Sequence, residues 1–197
     1  MGLDDYPYIC SVDFQLSVPA LPWYEYDPDF YVQEITGTVR AMISDTEEVQ
    51  AGTIKVLKVN VSQAANDRVP LFDVCDAHSD FLAALYGALF ENELETKPEL
   101  EIEPCWNELL VLWEFDMPTQ FRDADGVVCA FETAIATFGA MDLVAAAMEG
   151  ESYRRFVGLD LAVDEWRRLG FKRIAGTQFA FRDSCRKNPY DAQQDQD

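Results

Sequence analysis

Apolar and polar positions alternate along residues 34–43 and again along residues 52–61, so both stretches are expected as strands. In the second, GTIKVLKVNV, the apolar positions Ile54, Val56, Val59 and Val61 are separated by Lys55, Lys58 and Asn60, with Leu57 breaking the alternation. The polar, acidic stretch 44–50 between them suits a hairpin loop. The period then changes. Residues 62–90 are helical in pattern, with Pro70 opening a first short helix and Ser79 as the N-cap of a second. Phe81, Leu82, Leu85, Tyr86, Leu89 and Phe90 make one face of that second helix. Residues 91–103 form an acidic linker.

Residues 107–116, NELLVLWEFD, carry a near-continuous apolar run, the mark of a central strand buried on both faces. Pro118 ends it. A helix is expected over 127–141, with Val127, Phe131, Ala134, Ile135 and Phe138 on its inner face and Gly139 at its end. Residues 142–148 form a second apolar strand, expected parallel to 107–116 because one crossover helix joins them. An amphipathic helix over 159–169 ends at Gly170, placed as a left-handed cap, and 173–182 is a last strand. This order predicts a mixed α/β (α+β) domain over residues 34–186. Residues 1–33 form an arm carrying Tyr6, Tyr8, Phe14, Trp23, Tyr24, Tyr26, Phe30 and Tyr31, punctuated by four prolines. The arm is expected to pack on the domain and to add a strand near 10–16, or to meet a partner. The tail 187–197 is expected to be disordered.

Composition narrows the function. The chain has 197 residues, 49% hydrophobic and 13% aromatic, which is enough for a full core and too apolar for a disordered acidic tail. Its formal charge is 15 − 36 = −21. The charge is uneven. Residues 1–150 hold 28 acids and 6 bases (6 − 28 = −22), and residues 151–197 hold 8 acids and 9 bases (9 − 8 = +1). Direct nucleic-acid binding is therefore not expected, while a cationic small molecule or a basic protein is. The surface expected to meet such a partner contains 91–103 and the aromatic arm. Acidity of this size also suits a high-salt habitat with no partner at all. No run of 18 apolar residues gives a membrane span, and no charged start with an apolar stretch gives a secretory signal. A cytoplasmic protein is expected, its oligomeric state open and a dimer included.

Five cysteines without a CxxC pair suggest buried free thiols in a reducing compartment. A single His, His78, makes a His-based metal site unexpected, and no metal is expected. His78 between Asp76 and Asp80 is expected to bond one of them at a helix junction.

Three features in order resemble the GNAT superfamily of acyl-CoA-dependent N-acyltransferases: the strand end Glu114-Phe115-Asp116-Met117-Pro118; the loop Gln120 to Gly126 that opens a helix; and Trp166-Arg167-Arg168-Leu169-Gly170-Phe171, similar to the family's Y-x-x-L-G-F helix end. The resemblance covers about residues 34–183. It implies a central twisted sheet with splayed parallel strands flanked by helices, and acetyl-CoA lying where the strands part. Backbone groups near Phe115 and Met117 would then pair with the pantetheine arm, and the pyrophosphate would rest over Arg122, Ala124, Gly126 and Val127 at a helix N-terminus. The family pattern R/Q-x-x-G-x-G/A is matched only by Arg122. Asp125 and Val127 stand where the glycines belong, and Gly126 falls between them. Each carboxylate about 4 Å from a phosphate would cost on the order of 1–4 kcal/mol, so weak acetyl-CoA affinity is expected. Asp123 and Asp125 are equally suited to complement the helix N-terminus themselves. Glu114 matches the location of the family's catalytic base, and Asp116 is a second candidate. Facing a cleft, Glu114 would be desolvated and its pKa raised; at a charged rim, it would be an ordinary strand end. Trp166 stands where the family's Tyr acid belongs and cannot supply a proton. Arg154, Arg155, Arg167, Arg168, Lys172 and Arg173 form a basic cluster suited to CoA phosphates or to pairing with the domain's own acids. The implied activity is N-acyl transfer to a cationic amine. The alternative is a non-catalytic protein of the same fold that binds a basic partner.

Overall fold

A computed structural model describes residues 7–17, 28–103, 106–122, 124–148, 159 and 161–185. Much of the arm, the cluster's Arg154 and Arg155, and the tail 187–197 lie outside these residues.

One mixed seven-stranded sheet organises the chain. Its strands are β1 (Tyr8–Ser17), β2 (Val32–Ser44), β3 (Glu47–Val59), β6 (Leu109–Asp116), β7 (Leu143–Ala147), β8 (Lys172–Arg173) and β9 (Phe179–Asp183). They lie in the order β1-β2-β3-β6-β7-β9-β8. All neighbours are antiparallel except β6 and β7, which are parallel. The helices cover both faces. On one side lie α1 (Val61–Asn66), α2 (Leu71–His78) and α3 (Asp80–Leu89), packed over Leu57, Val59, Leu109, Val111 and Phe179. On the other, α4 (Ala124–Phe138) and α5 (Val163–Arg168) cover Ile54, Val56, Leu110, Leu112 and Val144. A small hairpin, β4 (Phe90–Asn92) with β5 (Glu95–Thr96), follows α3.

The expected mixed fold and the parallel β6–β7 pair are both present. Leu109 to Leu112 are buried without alternation, as a strand covered on both faces requires. Ser79 caps α3 by accepting from the Leu82 amide, 3.3 Å. Gly170 takes φ 73°, the left-handed cap the sequence anticipated.

Four elements differ from expectation. The 44–50 loop shrinks to Asp45 and Thr46, because β2 and β3 continue pairing through Ser44↔Glu47; ladder bonds are indifferent to polar side chains on an exposed hairpin. The 91–103 linker contains β4, β5 and a 3-10 turn, tied back where Lys97 Nζ donates to the Gly87 carbonyl, 2.7 Å. The 159–169 helix starts only at Val163, since Leu159 pairs with β7 instead. The last strand is two strands, β8 and β9, parted by a turn with Gly176 at φ 74°. The arm's expected strand is β1, an edge strand along β2.

Candidate functional site

β6 and β7 are tied together where they begin. The Leu143 amide donates to the Glu108 carbonyl (3.0 Å), and the Asn107 amide to the Met141 carbonyl (3.2 Å). Buried Asp142 reinforces this end: Oδ1 accepts from the Glu108 amide, and Oδ2 lies 3.5 Å from Lys58 Nζ. The parallel ladder runs through four pairs and stops at Leu112↔Ala146, although β6 continues to Asp116. β7 itself ends one residue later, at Ala147. At that end of β7, the Leu159 amide donates to the Ala147 carbonyl, 2.8 Å. The Met148 amide of the same peptide unit donates to the Gln178 carbonyl on the β9 side, so Leu159 stands on the side facing β6.

A bulge marks the same point on β6. Opposite β3 the register shifts between Lys55↔Glu114 and Val56↔Leu112, which leaves Trp113 without a cross-strand partner there. Before the bulge, even-numbered side chains face α4; after it, Phe115 does. Trp113 and Glu114 therefore share the α2–α3 face. Trp113 Nε1 donates to Glu114 Oε1, 3.1 Å. Its ring meets Phe81 edge-on at 4.6 Å and lies 6.4 Å from the His78 ring.

Glu114 is not the desolvated carboxylate that a cleft-facing base implied. Its side chain is 57% exposed and pairs with Lys55 Nζ at 2.9 Å. The hydrogen bond from Lys55, and then the charge of Glu114, raise the Lys55 pKa. The bulge is the cause, because it turns Glu114 toward the rim. Phe115 is half-buried against Phe131 (ring centroids 4.8 Å), with the Arg122 guanidinium 6.0 Å from its ring centre. Met117 is buried. Gly52 of β3 packs so closely that a Cβ there would lie 2.4 Å from the Asp116 carbonyl oxygen.

After β6, a 3-10 turn (Thr119–Phe121) leads to Arg122 and α4. Ala124 opens the helix, and Gly126 and Val127 are buried in its first turn. Asp123 lies outside the described residues. Asp125 is exposed and accepts from Arg168 Nη2 of α5, 2.7 Å. The anticipated loop residues thus gather at the end of β6, and one member of the basic cluster reaches them. The cluster's other described arginine on α5, Arg167, pairs with Asp164, while Lys172 and Arg173 lie exposed on β8. Trp166 is core, edge-on to Phe171 at 5.2 Å, so its indole holds no acid's place.

The thiols also depart from expectation. Among the described free cysteines only Cys75 is buried, and burial pushes its pKa up to about 12. Cys10 and Cys129 are exposed, and Cys185 is disulfide-bonded. Among the described residues no group of three or more His, Cys, Asp or Glu gathers to hold a metal, and no helix is long and apolar enough to cross a membrane.

Two features had no sequence signal. The Trp113–Glu114 bulge depends on pairing with β3. The buried Gln178, whose Nε2 has no hydrogen-bond partner among the described residues, depends on the β8–β9 turn.

No family model, curated protein or solved structure matches the chain.

Proposed function

We propose that the chain has the GNAT fold and carries an acyl-CoA-dependent N-acyltransferase site, acting on a cationic amine, at the end of the β6–β7 ladder. The parallel ladder that ends at Leu112↔Ala146 while β6 runs on carries this reading. Past Leu112, the β6 edge facing β7 has no ladder partner among the described residues, so its backbone groups suit the amides of a pantetheine arm. Leu159 pairs with the facing edge of β7, which leaves β6 as the binding edge.

The fit to acetyl-CoA is good along the arm and poor at the phosphates. Phe115 and Met117 would line the arm; Arg122, Ala124, Gly126 and Val127 would lie at the phosphates. Asp125 sets a carboxylate there, and its bond to Arg168 offsets part of that charge. Bound acyl-CoA supplies an activated thioester. Glu114, exposed at the end of β6, would take the proton of an approaching ammonium that displaces Lys55 Nζ from it. The acidic body draws cationic acceptors toward the site.

A second reading is a non-catalytic protein of this fold that binds a basic partner. The Lys55–Glu114 and Arg168–Asp125 pairs favour it, because each occupies a carboxylate in the site. Thermal unfolding with CoA and acetyl-CoA separates the two. Ligand at a hundred times its Kd stabilises by about 2.7 kcal/mol, roughly 5–11 °C for a domain of this size. A rise with both ligands supports the acyltransferase site. No rise at millimolar ligand leaves the second reading.

A further inference from the structure

A recess of about 270 Å³ lies where the β4–β5 turn meets the α1–α2 connection. Buried Val61, Val69 and Leu71, and exposed Leu94 of the turn, give it apolar walls. Only two lining residues are polar, Arg68 and Glu93, and they carry opposite charges. Pockets for drug-sized ligands run to roughly 300–1,000 Å³, so a recess of this size suits a smaller molecule.

Local structure places both charges. Glu93 reaches from the turn to the start of α2, where its Oε2 accepts from the Leu71 amide, 3.2 Å, because Pro70 ahead of that helix supplies no side-chain cap. Its Oε1 has no partner among the described residues. Arg68 stands just past α1 at φ 59°, the left-handed position at a helix end that Gly usually takes. A Cβ is disfavoured there, so closing α1 does not by itself call for Arg. Its guanidinium has no hydrogen-bond or ion-pair partner among the described residues, although the chain holds 36 acids. Asp67, its neighbour, is engaged by Tyr31 Oη (2.9 Å) and Gln63 Nε2 (2.8 Å) instead. Arg68 and Glu93 thus line one recess without pairing with each other.

Two opposite, unpaired charges around an apolar recess match a zwitterion with an apolar side chain. We propose that this recess binds a free α-amino acid of the leucine class. The planar fork of Arg68 takes the carboxylate, and Glu93 Oε1 accepts from the ammonium. The side chain packs on Val61, Val69, Leu71 and Leu94. A simple anion or cation would leave one of the two charges unanswered, and a peptide does not carry both charges on one carbon. The recess shares no residue with the β6–β7 site, so the acyl-CoA reading can fail without touching it.

An amide NMR titration with L-leucine tests the proposal. The comparators are leucinamide, which lacks the carboxylate, 4-methylpentanoate, which lacks the ammonium, and glycine, which lacks the side chain. Leucine is expected to give saturable shifts centred on residues 61–71 and 93–94, and each comparator to bind at least about tenfold more weakly. Arg68→Gly removes the guanidinium where the backbone favours Gly, and Glu93→Gln keeps an oxygen for the Leu71 amide, so both variants should fold, as circular dichroism checks. Each should weaken leucine at least about tenfold. No saturable shift up to about 10 mM leucine, shifts centred elsewhere, a comparator that binds as well as leucine, or a folded variant that binds leucine as the parent does overturns the proposal.

Discussion

Leu159 donates its amide to the carbonyl of Ala147 at 2.8 Å, on the edge of β7 that faces β6, and its side chain is 4% exposed. A single residue beyond the strand thus extends the pairing along that edge of β7. Leu159→Ala should cost about 2–4 kcal/mol through lost burial and the cavity left behind. The expected drop in melting temperature is about 4–16 °C. A change below 1 °C would mean that Leu159 is not seated there.

Gly52→Ala tests the close contact of β3 with the end of β6. The added methyl would lie 2.4 Å from the Asp116 backbone oxygen, and backbone cannot swing aside as a side chain can. Overpacking of this kind costs about 1–3 kcal/mol. Denaturant unfolding should show a lower midpoint with an unchanged slope.

Cys75 links burial to pH. Its folded pKa of about 12 stands above the unfolded value of 9.0. Below pH 9 the thiol is protonated in both states and its contribution is fully present. Between pH 9 and 12 the unfolded chain gives up this proton first, so stability falls as pH rises, by up to about 4 kcal/mol from this group. Cys75→Ala should flatten that part of the stability–pH curve relative to the parent. At neutral pH a thiol reagent should modify exposed Cys10 and Cys129 while Cys75 stays protected until unfolding.

Glu114→Gln removes the proposed base and keeps the shape. Acetyl transfer to an amine should fall about 10²–10⁴-fold. Stability should change by less than about 1 kcal/mol, because the Lys55 pair is solvent-exposed. Unchanged turnover would assign the proton to another group.

The apolar run from Leu109 to Leu112 was readable as a central strand because burial on both faces leaves no alternation to misread. Ser79 and Gly170 were readable because capping chemistry is local. The elements that differed depend on distant partners. Polar side chains on 47–50 masked a strand that β2 supplies with hydrogen bonds. Leu159 belongs to a helical pattern in sequence but finds a strand edge in space. Glu114 was identifiable as a candidate base, but its exposure follows from a bulge set by β3. The Arg168–Asp125 contact joins residues 43 positions apart (168 − 125), and only the packing of α5 on α4 brings them together.

Calorimetric titration of acetyl-CoA tests the central claim most directly. The open β6 edge predicts saturable binding, and Asp125 predicts that it is weak: a Kd between about 10 μM and 1 mM, or −6.8 to −4.1 kcal/mol. Asp125→Asn removes the carboxylate from the phosphate site, and it should tighten binding about fivefold, near 1 kcal/mol. No saturable heat up to several millimolar, for the parent and for Asp125→Asn alike, would contradict an acyl-CoA site at the end of the β6–β7 ladder.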